Sequence, residues 1–156
     1  MYKNIMVPLD GSPLAECVLP HVESLAGGCV MDMVTFIRVV EPLHLAYTIG
    51  AEGMIPEKQW QEIIRDRKPA ADRYIKKLLS RMKYDKVAVK GEILEGPAAE
   101  SLADYATKKG VELIIISTHG RSGVSRWVWG SVADRILRSA CVPVLMVRAP
   151  GCVPGI

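Results

Sequence analysis

With 156 residues, 49% of them hydrophobic and 24% charged, the chain has enough apolar material for one domain with a sizeable core, which excludes a disordered or coiled-coil protein. A formal net charge of +3 is too mild for a protein that coats nucleic acid, and no aromatic-plus-arginine pattern of an RNA-binding sheet is present. Apolar runs such as Val142–Val147 fall far short of the roughly 20 residues that span a bilayer, and the N-terminus opens as a strand rather than a secretory leader, so a cytoplasmic protein without nucleic-acid or membrane partners is expected.

Hydrophobic periodicity then alternates between strand and helix. Asn4 to Leu9 predicts a short buried strand that stops at Asp10-Gly11-Ser12-Pro13, where Ser12 suits an N-cap and Pro13 the first helical position. The helix that follows carries Leu14, Val18, Val22 and Leu25 on one stripe, with Pro20 expected to bend it and Gly27-Gly28 to end it. Met31 to Val40 predicts a second strand, and Glu41 to Pro56 a long surface connection. From Glu57 a helical stripe resumes with Trp60, Ile63, Ile64, Ala71, Tyr74, Ile75, Leu78 and Met82, and Pro69 predicts a kink or short break within it.

Lys86 to Leu94 predicts a third strand, closed by Glu95-Gly96-Pro97. A helix with Ala98, Leu102, Tyr105 and Ala106 inward is expected to end at Gly110, ahead of a buried strand over Leu113–Ile116. A last helix over Ser131–Ala140, with Val132, Ile136, Leu137 and Ala140 inward, leads to a final strand at Val142–Val147 and a loose tail from Ala149. Five strands alternating with helices imply an α/β fold, a largely parallel sheet covered on both faces, with ligands expected outside the strands' carboxyl ends.

Two small-residue turns stand out at that edge. Ile114-Ile115-Ile116-Ser117-Thr118-His119-Gly120 ends a buried strand, and nine residues later Gly130-Ser131 opens a helix. Gly120 can let a phosphate approach the backbone, and Gly130-Ser131 can offer amides and a hydroxyl where the helix dipole favours an anion. Ser131-Val132-Ala133-Asp134 also fits a capping box, which needs no ligand. Asp10 could accept from a ribose or an amino group, or merely close an Asx turn on Ser12. His119 could donate to a phosphate or be structural, and Trp127 and Trp129 could form a lid or anchor the loop. Arg121, Arg126, Arg135 and Arg138 concentrate positive charge around these turns, as a bound polyanion or simple solubility would favour.

Familiar catalytic signatures are missing. There is no Walker loop, no dinucleotide fingerprint and no nucleophile elbow, so no catalytic residue is assigned. Cys17, Cys29, Cys141 and Cys152 lack the spacing of a zinc site or disulfide framework and are expected to be free thiols, with no metal held by the protein.

Val7-Pro8-Leu9-Asp10-Gly11-Ser12, Val39-Val40-Glu41-Pro42, Ser117-Thr118-His119-Gly120-Arg121-Ser122-Gly123 with Gly130-Ser131, and the strand Val142–Val147 together resemble a universal stress protein over about residues 2–148. The resemblance implies a domain over 1–148 and a flexible tail over 149–156. It also implies a three-layer, adenine nucleotide α-hydrolase-like sandwich whose five-stranded parallel sheet has the order 3-2-1-4-5. A homodimer through the last strand is implied as well. The ATP-binding branch carries G-x2-G-x9-G-[ST], met here by Gly120, Gly130 and Ser131, with Ser117 in place of the first glycine. By resemblance, Asp10 and Val39 would contact adenosine, with Pro8 and Leu9 lining the adenine side. Ile116, Ser117, His119 and Gly120 would contact ribose and α-phosphate, and Gly130, Ser131, Val132 and Ala133 the outer phosphates. The resemblance thus implies an ATP-binding regulatory dimer of the stress response, with Mg²⁺ shared by the phosphates. The alternatives are a dimerisation module with a vestigial pocket, or a slow ATP hydrolase, which the missing general base disfavours.

Overall fold

A computed structural model of the chain describes residues 2–42, 57–118 and 131–148. Strands β1 (Asn4–Pro8), β2 (Met33–Val40), β3 (Ala88–Glu95), β4 (Leu113–Ser117) and β5 (Val144–Val147) form a parallel sheet in the order β3-β2-β1-β4-β5. A 3-10 turn (Ala15–Val18) and helices α1 (Leu19–Gly28), α2 (Glu57–Arg81), α3 (Ala98–Lys108) and α4 (Ser131–Ser139) cover it. This is the expected three-layer fold.

Strand alternation divides the core in two. Ile5, Val7, Val34 and Phe36 point to one face and pack with Val18, Val22, Ile75 and Leu78 from the 3-10 turn, α1 and α2. Met6, Ile37, Ile114 and Ile116 point to the other and pack with Leu102 and Ala106 of α3 and Ile136 of α4. Both faces being buried explains why β1 and β4 read as continuous apolar runs.

The expected first helix is two elements. Ser12 is buried, and its hydroxyl accepts the Ala15 N–H at 3.1 Å, opening a 3-10 turn rather than an α-helix. Pro20 then stands in the first turn of α1, where its missing N–H would have no helical partner anyway, so it starts the helix instead of bending it. In contrast, α2 runs unbroken through Pro69. That proline is on the exposed side, where water can satisfy the carbonyl it leaves without a donor.

Strand boundaries shift by about a turn's width. β2 begins at Met33 rather than Met31, and β5 at Val144 rather than Val142. β3 begins at Ala88 because Lys86 adopts a φ of 60° in the turn bridged by Tyr84 and Val87. On α4 the inward residues are Ala133 and Ile136, with Val132 and, just beyond the helix, Ala140 partly buried, whereas Leu137 is 45% exposed. α4 packs on α3 and β5, and Leu137 lies one helical step round from Ile136, away from both. The connection 43–56 and the tail 149–156 lie outside the described residues.

Candidate functional site

The site begins with a proline. The Leu9 N–H donates to the Ile37 carbonyl of β2 at 2.8 Å, so by strand alternation the N–H of residue 8 would point the other way, to β4. Pro8 has none. The β1–β4 ladder accordingly stops at Ile5↔Leu113 and Met6↔Ile114, while β1–β2 pairing runs on to Pro8↔Ile37. The hydrogen-bonded pairing of β1 with β4 therefore ends two residues before its pairing with β2.

Between β1 and β4 the topology reverses. From β1 the chain crosses to β2 through α1 on one face, and from β4 it crosses to β5 through α4 on the other. A crevice of this kind is the usual ligand position in an open parallel sheet. Counting on from Pro8↔Ile37 and Met6↔Ile114 puts Asp10 level with Val39 and Thr118. Three expected contact regions, separated by up to 108 positions in sequence (10 to 118), thus reach one level of one edge.

The side chains at this edge are not equally available. Leu9 and Ile116 are buried in opposite halves of the core, and Pro8 is buried as well. The Leu9 carbonyl accepts from Arg38 at 3.4 Å and the Thr118 N–H donates to the Val147 carbonyl at 2.9 Å. Asp10 and Val39 are half-buried, Val132 likewise, Ala133 is buried and Ser131 is exposed at the start of α4. His119, Gly120 and Gly130 lie outside the described residues, as do Trp127 and Trp129.

Asp10 closes an Asx turn, its Oδ1 accepting the Ser12 N–H at 2.8 Å. This holds the carboxylate at the crevice mouth, and a carboxylate can accept more than one hydrogen bond. Ser117, the residue in place of the motif's first glycine, is the last residue of β4 and pairs in register with Val147. Among the described residues the only non-glycine with positive φ is Lys86, so the backbone at 117 makes no demand that only glycine meets. The arginines near α4 are engaged elsewhere. Arg135 pairs with Glu100, and Arg138 donates to both Asp134 oxygens at 3.0 and 3.1 Å.

Sequence reasoning passed over Arg38 and Arg67. Together with Tyr74 they line a cleft of about 200 Å³ between the end of β2 and α2, bordering Val39. The available signal was Arg38 itself, the one charge within the stretch Val34–Val40. The Tyr74 hydroxyl donates to Glu16 at 3.0 Å, and Arg81 pairs with the same carboxylate. Burial pushes the Tyr74 hydroxyl well above the ordinary tyrosine range, and the Glu16 charge and hydrogen bond push the same way.

A parallel sheet covered by helices on both faces, its strand order reversing between β1 and β4, defines the class of doubly wound α/β proteins. Within it, the model of the universal stress protein family matches residues 1–148, and the chain belongs to that family. It is 29% identical over 150 residues to universal stress protein MJ0531 of Methanocaldococcus jannaschii, covering 96% of this chain and 84% of that one. The solved structure of MJ0577 superposes with a TM-score of 0.71 at 24% identity, covering 97% and 99% of the two chains. An Arabidopsis thaliana family member solved with AMP bound superposes with a TM-score of 0.63 at 12% identity, covering 96% and 93%. A universal stress protein in complex with cAMP gives 0.56 at 16%, covering 95% and 98%.

Proposed function

We propose that this chain binds an adenine nucleotide, ATP in particular, in the crevice between β1 and β4 and acts as a cytoplasmic regulatory dimer of the stress response. The observation that carries this is the reversal of strand order between β1 and β4, with Asp10, Val39 and Thr118 level at the strands' carboxyl ends. AMP and cAMP in two structural relatives support the adenine class. Asp10 and Val39 would face the adenosine, with Pro8 and Leu9 forming the wall behind it. Ile116, Ser117, His119 and Gly120 would approach the ribose and α-phosphate. Gly130, Ser131, Val132 and Ala133 would receive the outer phosphates at the α4 N-terminus, where backbone N–H groups and the helix dipole favour an anion. Mg²⁺, when bound, would neutralise phosphate charge.

The dimer would form through β5, which among the described residues ends the sheet and leaves Leu145 39% exposed. Among the described residues no helix is long and apolar enough to cross a membrane.

The test is to denature purified protein, look for released adenine nucleotide by chromatography, and titrate ATP with Mg²⁺ by calorimetry. Binding is expected in the wild type and lost in Gly120→Val and Gly130→Val, with the dimer unchanged on sizing chromatography. Ser117→Gly should bind much as the wild type does, since residue 117 is extended. Absence of both released nucleotide and calorimetric binding would leave the dimerisation module as the better reading.

A further inference from the structure

The cleft beside the crevice has a chemistry of its own. Two guanidiniums, Arg38 and Arg67, are set among Val40, Ala70, Ala71 and Tyr74, and among the described residues no carboxylate lines it. Three acids stand near it, and Asp10 accepts the Ser12 N–H. Glu16 accepts from Tyr74 and pairs with Arg81, and the Glu41 carboxylate accepts the Ala98 N–H at 2.9 Å, capping α3. Arg67 donates to the Glu41 main-chain carbonyl at 2.5 Å, and among the described residues no carboxylate forms an ion pair with it. A neutral acceptor positions a guanidinium without cancelling its charge, and the group has five N–H donors in all. Arg38 is held from the opposite wall by its bond to the Leu9 carbonyl. The result is a concave site with cations on two elements and aliphatic surface between them.

Its size limits what it can take. About 200 Å³ is below the roughly 300–1,000 Å³ of pockets that enclose a whole small-molecule ligand. The geometry points to a subsite for one phosphoryl or carboxylate group carried on a small apolar body, bound next to Val39. Arg67 supplies a charge-assisted, forked hydrogen bond, and Val40, Ala70 and Ala71 receive the apolar part. The anion belongs either to a separate small molecule or to the nucleotide itself, and the chemistry of the subsite is the same for both. Neither the charge nor the cleft depends on the nucleotide reading.

The probe is phenyl phosphate, titrated into the full chain labelled with ¹⁵N and followed by NMR at backbone amides and the Arg67 Nε–H. Saturable shifts are expected at Val39, Val40, Ala70 and Ala71. Affinity should fall about tenfold in Arg67→Ala and recover in part in Arg67→Lys, which keeps the charge but not the fork. Arg73→Ala, on the exposed side of α2, should bind as the wild type does. Shifts that do not saturate, or equal affinity in Arg67→Ala and wild type, overturn the subsite. Inorganic phosphate should bind more weakly, and equal affinity for it overturns the apolar part of the assignment. Repeating the titration in saturating ATP separates the sources. Competition assigns the anion to the nucleotide, and undiminished binding assigns it to a second molecule. Because phenyl phosphate is added without nucleotide, a failure of ATP binding leaves this measurement intact.

Discussion

The two halves of α2 carry the same hydrophobic stripe and meet different fates. Before Pro69, Ile63 and Ile64 are 44% and 49% exposed; after it, Ile75 and Leu78 are 4% and 1% exposed. The second half lies over β2 and β3, where Gly91 lets it come close. A Cβ at residue 91 would collide with the Ile75 Cγ2 and Leu79 side chains. Amphipathic spacing therefore specifies a helix and its apolar side, but burial needs a surface underneath. The exposed half is also the one that leads to Arg67 and the cleft. The cleft straddles Pro69, with Arg67 from the exposed half and Ala70, Ala71 and Tyr74 from the packed one.

The strongest way to break the contrast is within the packed half. Leu78→Ala should cost about 2–5 kcal/mol in urea denaturation, from lost transfer energy plus a cavity between α2 and the sheet. A loss below about 1 kcal/mol would show that α2 is not seated there. Gly91→Ala should cost about 1–3 kcal/mol, since Ile75 is β-branched near the contact and cannot easily swing aside.

A smaller effect is expected where the packed half meets the 3-10 turn. Tyr74→Phe removes the hydrogen bond to Glu16 and should cost about 1 kcal/mol at neutral pH. It should also alter the alkaline limb. The Tyr74 hydroxyl is raised above its ordinary value of 10.0, so the folded chain holds that proton more tightly than the unfolded one. The associated stability is complete below about pH 10 and is lost as pH climbs beyond it. Tyr74→Phe should make the decline above pH 10 shallower without abolishing it, because burial also raises Tyr84 and Tyr105. An identical decline in wild type and variant would refute the Tyr74 assignment. The smallest change is expected from Ile63→Ser with Ile64→Ser, within about 0.5 kcal/mol for each surface site. A loss of several kcal/mol would mean that those isoleucines are covered in the protein as it exists in solution.

Much of the fold was legible in the chain. Period-2 and period-3.6 patterns placed all five strands and the helices, because a sheet buried on both faces needs apolar runs and its helices need one apolar stripe each. The misjudged residues share a cause. Ile63, Ile64 and Leu137 fit the periodicity, but exposure depends on which neighbour a helix meets. Pro20 and Pro69 looked alike in sequence, yet one begins α1 and the other sits on the open side of α2. For the candidate site, small residues and their spacing marked Ser117 and the Gly130-Ser131 turn, and the position after a strand marked Asp10. Arg67 carried no such mark, since a lone cation on a helix resembles any solvated one.

By itself the sequence determined the alternation of strands and helices, the family resemblance, and the absence of a familiar catalytic signature. These are local matters of periodicity and residue type. Only the tertiary structure decided that Pro8, by withholding one N–H from β4, ends the β1–β4 pairing at the sheet's reversal point. It alone brought Asp10, Val39 and Thr118 to one level and set Arg38 and Arg67 on two walls of one cleft. Such juxtapositions join residues tens of positions apart, and strand order and helix seating, not spacing along the chain, decide which of them meet.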